Sequence, residues 1–181
     1  MAVTWDQVRN GIFAGESGGD YNALFGFSNR AGGRYSNVRL TDMTVDQALQ
    51  FASPSGDYGQ HVKGQIGRVA TPMGAYQVVG TTLKAAKDAL GLTGNERMTP
   101  ELQDMIGKWI YANQGTGAWE GYKGPRDSFT PVGGGNALSG ASLPVPQPAT
   151  GNALGPFRLN LPQRDLTEFA TPRNLFRNYM G

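Results

Sequence analysis

The sequence predicts a mainly helical domain followed by an extended C-terminal tail. Three observations carry this. Before residue 125, four stretches repeat apolar side chains at helical spacing, three of them behind a threonine placed to cap a helix. Only "ALFGF" at 23–27 and "GAYQVV" at 74–79 have strand character, enough for at most a small hairpin region. After about residue 125, Gly, Pro and Ser replace any sustained period. A chain of 181 residues, 39% hydrophobic, can bury one ordinary core and carry an extension.

The elements follow in chain order. "TWDQ" at 4–7 fits a capping box, and Trp5, Val8, Ile12 and Phe13 then recur up to Gly15, so a first helix should span about 5 to 16. "TVDQALQFA" repeats the box at Thr44 and Gln47, with Val45, Ala48, Leu49 and Ala52 on one face. "TTLKAAKDALG" is rich in helix formers and stops at Gly91, a C-cap residue. "TPELQDMIGKWIYAN" starts from Thr99 with Pro100 behind it and should turn Leu102, Met105, Ile106, Trp109 and Ile110 inward. His61 reads as a solvated loop residue.

The domain boundaries are set by composition. Residues 1–125 form the domain, 126–165 a Pro/Gly-rich linker, and 166–181 a hydrophobic docking segment. In "DLTEFATPRNLFRNYMG", Leu166, Phe169, Leu175, Phe176, Tyr179 and Met180 are too apolar to face water without a use, so the segment should pack on its own domain or on a partner protein. Residues 1–125 hold 11 basic and 11 acidic side chains and the remainder 5 and 3, so the net +2 belongs to the tail. No Lys/Arg cluster marks a nucleic-acid surface. With no cysteine and one histidine, no metal site and no cofactor is expected. The charged N-terminus does not read as a signal peptide, and no run approaches the roughly 18 apolar residues of a membrane span.

Two chemistries can be read from "GESGG" at 15–19. As G-x-S-x-G it matches a serine-hydrolase elbow, with Asp42, Asp46 or Asp57 and then His61 in suitable order. That elbow needs a strand before the serine, whereas a helical pattern precedes Ser17. Glu16 suits acid chemistry better. At a helix C-terminus it feels the negative end of the dipole, and Ile12, Phe13 and Phe25 would disfavour its charged form. A glutamate held protonated is what glycosidic cleavage needs, because the leaving oxygen must receive a proton.

"AGESGGDYNALFG" resembles the catalytic-glutamate segment of the lysozyme-like superfamily, as found in soluble lytic transglycosylases and lambda-type phage endolysins. "ATPMGAYQVVGTTLKAA" at 70–86 resembles the family's second motif, here Gly74, Ala75, Tyr76 and Gln77. "LGLTGNERMTPELQDMIGKWIY" looks like the stretch where a helix begins after Ser/Thr-Pro and carries a Gln-Asp pair, here Gln103 and Asp104. "GTGAWEGYKG" at 115–124 resembles the closing aromatic turn of phage-borne members. These motifs cover about residues 5–124 and none of the tail. The third motif departs from the transglycosylase pattern: either "YAN" at 111–113 or "WEGY" could supply its tyrosine.

The resemblance implies an α+β lysozyme-like fold acting on the bond between N-acetylmuramic acid and N-acetylglucosamine in peptidoglycan. Glu16 becomes the general acid/base. Ser17, Tyr76 and Gln77 become groove residues, and Trp119 and Tyr122 stack on sugar rings or close the groove. Asp20, Asp42, Asp46 and Asp57 are the carboxylates weighed as a partner for Glu16, and each is more simply a turn or cap residue. A lytic transglycosylase needs no such partner, since the sugar's C6 hydroxyl attacks, so it is favoured over a lysozyme-type hydrolase. The tethered, anchored tail suggests carriage in a phage virion in several copies, bound to other virion proteins through 126–181 and used in the host cell wall at genome entry. A holin-released endolysin and a non-catalytic virion adaptor built on the same fold are the alternatives.

Overall fold

A computed structural model describes residues 3–126. Apart from Arg126, the linker and docking segments expected at 126–165 and 166–181 lie outside the described residues. Five α-helices follow one another: α1 (Trp5–Glu16), α2 (Val45–Phe51), α3 (Asp57–Ile66), α4 (Gly80–Leu90) and α5 (Pro100–Gln114). Short 3-10 turns occupy Phe25–Phe27, Leu40–Asp42 and Gly115–Ala118. Among the described residues, no helix is long and apolar enough to cross a membrane.

Local chemistry explains where the helices start. The Thr4 amide donates to Gln7 Oε1 at 2.9 Å while the Gln7 amide donates back to Thr4 Oγ1 at 3.3 Å. Thr44 and Gln47 repeat this at 2.8 and 3.2 Å. Each box satisfies donors that a bare helix end would leave without partners. Thr99 caps α5 by accepting from the Leu102 amide, with Pro100 at the first helical position. Gly91 ends α4 in the left-handed region.

Both strand candidates reduce to isolated bridges, Leu24 with Met73 and Met73 with Val78. The reason is backbone conformation: Gly26 (φ 60°) and Phe27 (φ 55°) interrupt the first segment, and Gly74 (φ 72°) and Gln77 (φ 47°) the second. His61 lies on α3 rather than in a loop, its ring edge-on to Tyr35 at 5.4 Å. Two glycines hid this helix from its sequence pattern. Tyr58 and Val62 nevertheless put a buried face on it, while a Cβ on Gly59 would strike the Ser53 and Pro54 carbonyls, so α3 packs tightly on the turn before it.

The core gathers Val8 and Ile12 of α1, Val45 and Ala48 of α2, Leu83 and Ala86 of α4, and Leu102, Ile106 and Ile110 of α5. The inward stripe of α5 is rotated from the expected one. Gln103 and Gly107 are buried, whereas Met105 and Trp109 are only partly covered. Tyr76 causes this, because a Cβ on Gly107 would lie 2.5 Å from the Tyr76 ring.

Asp104 ties three elements together. Its Oδ1 accepts from the hydroxyls of Tyr21 and Tyr76, both at 2.7 Å, and its Oδ2 pairs with Arg9 at 3.2 Å. Burial and this carboxylate push the Tyr21 phenol up to about 12. Asp104→Ala should strip the acceptor from two phenols and a guanidinium, lowering unfolding stability by about 2–3 kcal/mol in urea titrations.

Candidate active site

Helix α1 ends at Glu16 because Gly18 (φ 66°) and Gly19 (φ 81°) turn the chain through conformations that favour glycine. Glu16 is only 8% exposed. It lines a cleft with Tyr76 and Gln77 of the turn before α4, Ile110 and Gln114 of α5, and Trp119 and Glu120 of the closing segment. The cleft encloses about 420 Å³ including its solvent-open mouth. Val78, Val79, Thr82 and Ala118 complete its walls.

Burial holds the Glu16 carboxyl above the ordinary carboxylate range. A hydrogen bond from the Gly121 amide to Oε1, 2.9 Å long, acts in the opposite direction, and the negative charge of Glu120 adds to the rise. The apolar surroundings differ from those expected. Val78, Ile110 and Trp119 share the cleft with Glu16, whereas Ile12, Phe13 and Phe25 do not line it.

Two backbones cross here. A Cβ on Gly15 would run into the Gly121 carbonyl, and one on Gly121 would meet the Gly15 carbonyl and sit 3.0 Å from Glu16 Oε1. With glycine on both sides, the closing segment reaches the catalytic-candidate carboxyl through its backbone.

The remaining predicted residues divide into lining and supporting groups. Gln77 has a positive φ uncommon for its type, and its Nε2 donates to the Gly74 carbonyl at 2.8 Å. Tyr76 is among the lining residues, but its ring packs against Trp5 and Phe13 and its hydroxyl is committed to Asp104. The Trp119 indole donates to the Tyr76 carbonyl at 2.9 Å, which fixes the ring against the wall. Gln103 clasps the same turn, accepting from the Ala75 amide at 3.1 Å and donating to the Tyr21 and Met98 carbonyls.

Ser17 and Tyr122 are not among the lining residues. The Ser17 hydroxyl, 1% exposed, donates to the Ala75 carbonyl at 2.7 Å and accepts from the Gly19 amide at 3.1 Å. It latches the end of α1 to the 74–77 turn. Ser17→Ala should leave a buried carbonyl unpaired and cost about 1–3 kcal/mol, read as a lowered melting temperature. The Tyr122 hydroxyl donates to the Pro125 carbonyl, and its ring covers Gly11.

His61 pairs with Tyr35 on α3, and neither it nor Ser17 lines the cleft, so the serine-hydrolase arrangement is not assembled. Among the described residues, no group of three or more His, Cys, Asp or Glu could hold a metal ion. Sequence reasoning missed Ile110, Gln114 and Glu120. Glu120 was within reach, since it sits inside the quoted "AWEGY", between the two aromatic residues singled out there. No protein-family model, curated protein or solved structure matches the chain.

Proposed function

We propose that this chain cleaves peptidoglycan glycan strands at the bond between N-acetylmuramic acid and N-acetylglucosamine, with Glu16 as general acid/base. The observation that carries the reading is a buried carboxyl, held toward its protonated form, at the wall of a cleft with aromatic, amide and aliphatic lining. Such a group can protonate a leaving glycosidic oxygen while the anomeric carbon takes on oxocarbenium-like charge. Gln114 and Thr82 offer donors and acceptors suited to sugar hydroxyl and N-acetyl groups, Gln77 keeps only its amide oxygen for such a contact, and Val78, Ile110 and Trp119 supply apolar lining. The ordered motifs that resemble the lysozyme-like superfamily support the same assignment.

Two acceptors complete the chemistry. With Glu16 alone, the sugar's C6 hydroxyl closes a 1,6-anhydro product, the lytic-transglycosylase outcome. With a second carboxylate, water gives a reducing end. The tail supports use within a phage virion, bound to other virion proteins and acting on the host wall. Digestion of purified peptidoglycan by wild type and Glu16→Gln, with mass spectrometry of released muropeptides, tests the reading. Release that disappears in the variant supports it. An inactive wild type would leave the fold as a virion scaffold.

A further inference from the structure

We infer that Glu120 is the second catalytic carboxylate of this cleft, the base that takes a proton from an attacking water. The inference rests on the assignment of Glu16 as proton donor.

The sequence offered Asp20, Asp42, Asp46 and Asp57 as partners for Glu16, and the structure places each outside the cleft. Asp20 accepts from the Asn22 amide at 2.8 Å and from Asn29 Nδ2 at 3.0 Å. Asp42 faces Arg39, Asp46 binds Lys87 at 2.6 Å, and Asp57 binds Arg34 and the Tyr35 hydroxyl, both at 2.7 Å. None of the four lines the cleft. Glu120 is the one acidic residue besides Glu16 that does, among the described residues.

Its placement is also fixed. Trp119 is anchored by its indole to the Tyr76 carbonyl, and the Gly121 amide is anchored on Glu16 itself. The Tyr122 amide closes a turn on the Trp119 carbonyl at 3.3 Å, and the Lys123 amide donates to the Gly11 carbonyl at 3.0 Å. Glu120 therefore stands on a turn clamped on both sides, with an exposed side chain at the cleft. The negative charge of Glu120 also contributes to the raised Glu16 carboxyl.

The step balances. The Glu16 proton passes to the glycosidic oxygen as the C1–O bond breaks. Water oxygen bonds to C1 and gives its proton to the Glu120 carboxylate. Return of that proton to Glu16 through solvent restores the site, and one water is consumed per bond cleaved. A separate base acting on water implies inversion at C1.

The test is digestion of peptidoglycan in H₂¹⁸O by the full-length wild type, Glu120→Gln and Glu16→Gln, with mass spectrometry of products and NMR of the first-formed anomer. Wild type should give ¹⁸O-labelled reducing ends with inverted configuration. Glu120→Gln should lower kcat for that product by about 10²-fold or more with KM unchanged. Unlabelled anhydro products, lost in Glu16→Gln, would overturn the role of Glu120 while leaving Glu16 as the acid. Retained configuration, or a Glu120→Gln rate within threefold of wild type, would also overturn it. A wild type that releases nothing would remove both assignments together.

Discussion

Glu16→Gln should lower the rate of glycan cleavage by about 10²- to 10⁴-fold, the usual contribution of a positioned general acid. The amide keeps the size of the side chain, and its oxygen can still accept from the Gly121 amide, so the fold should survive. Wild-type activity should depend on the protonated form and fall as pH rises through the Glu16 pKa. Because burial raises that pKa, the alkaline limb should lie above the ordinary glutamate value of about 4.3. Stability must follow the same group. A carboxyl whose pKa is raised by folding contributes stability that is fully present below the unfolded value and lost as pH climbs through the folded one. The difference in melting temperature between Glu16→Gln and wild type should therefore be near zero below about pH 4, grow in favour of the variant with rising pH, then level off. A difference that stays flat across this range would mean that the Glu16 carboxyl is not raised, and the acid assignment would lose its basis.

What could be read in the sequence was local. The caps at Thr4, Thr44 and Thr99 depend on partners three residues away, so α1, α2 and α5 were legible with their starts. Helix α3 was not, because Gly59 and Gly64 depress helix propensity and Gly59 is there for close packing on the Ser53 and Pro54 carbonyls. The α5 stripe was misjudged for a similar reason. Its inward face makes room for the ring of Tyr76, and nothing within α5 announces that ring. At the site, Glu16 stood out through its helix-end position, and motif order pointed to Tyr76, Gln77 and Trp119. The burial of Glu16 could not be read from its neighbours in sequence, since Val78, Ile110 and Trp119 arrive from distant elements. The jobs of Ser17, Gln103 and Asp104 were equally hidden. Their hydrogen bonds reach 58, 28 and 83 residues along the chain to hold the turn and loop that shape the site.

Gly15→Ala should cost both stability and activity, against the usual sense of that substitution. Within a helix, alanine is better than glycine by roughly 0.5–1 kcal/mol, so an open position would gain from the change. At Gly15 the added Cβ would meet the Gly121 carbonyl, which is backbone and cannot rotate aside. Either α1 or the Trp119–Tyr122 turn has to move. Overpacking of this kind costs about 1–3 kcal/mol, enough to exceed the gain in propensity. The displaced turn would carry Gly121 away from Glu16 Oε1 and shift Trp119 and Glu120 at the cleft. A misplacement of about 1 Å near a reacting centre can lower the rate by about 10²-fold. Gly117→Ala supplies the control in the same segment. A Cβ there meets nothing within 4 Å, so its stability should stay within about 0.5 kcal/mol of wild type and its activity should be kept. Urea unfolding and muropeptide release measured on the two variants separate the possibilities. A Gly15→Ala protein as stable and active as the Gly117→Ala protein would mean that the backbones do not cross this closely and that Gly121 does not hold Glu16.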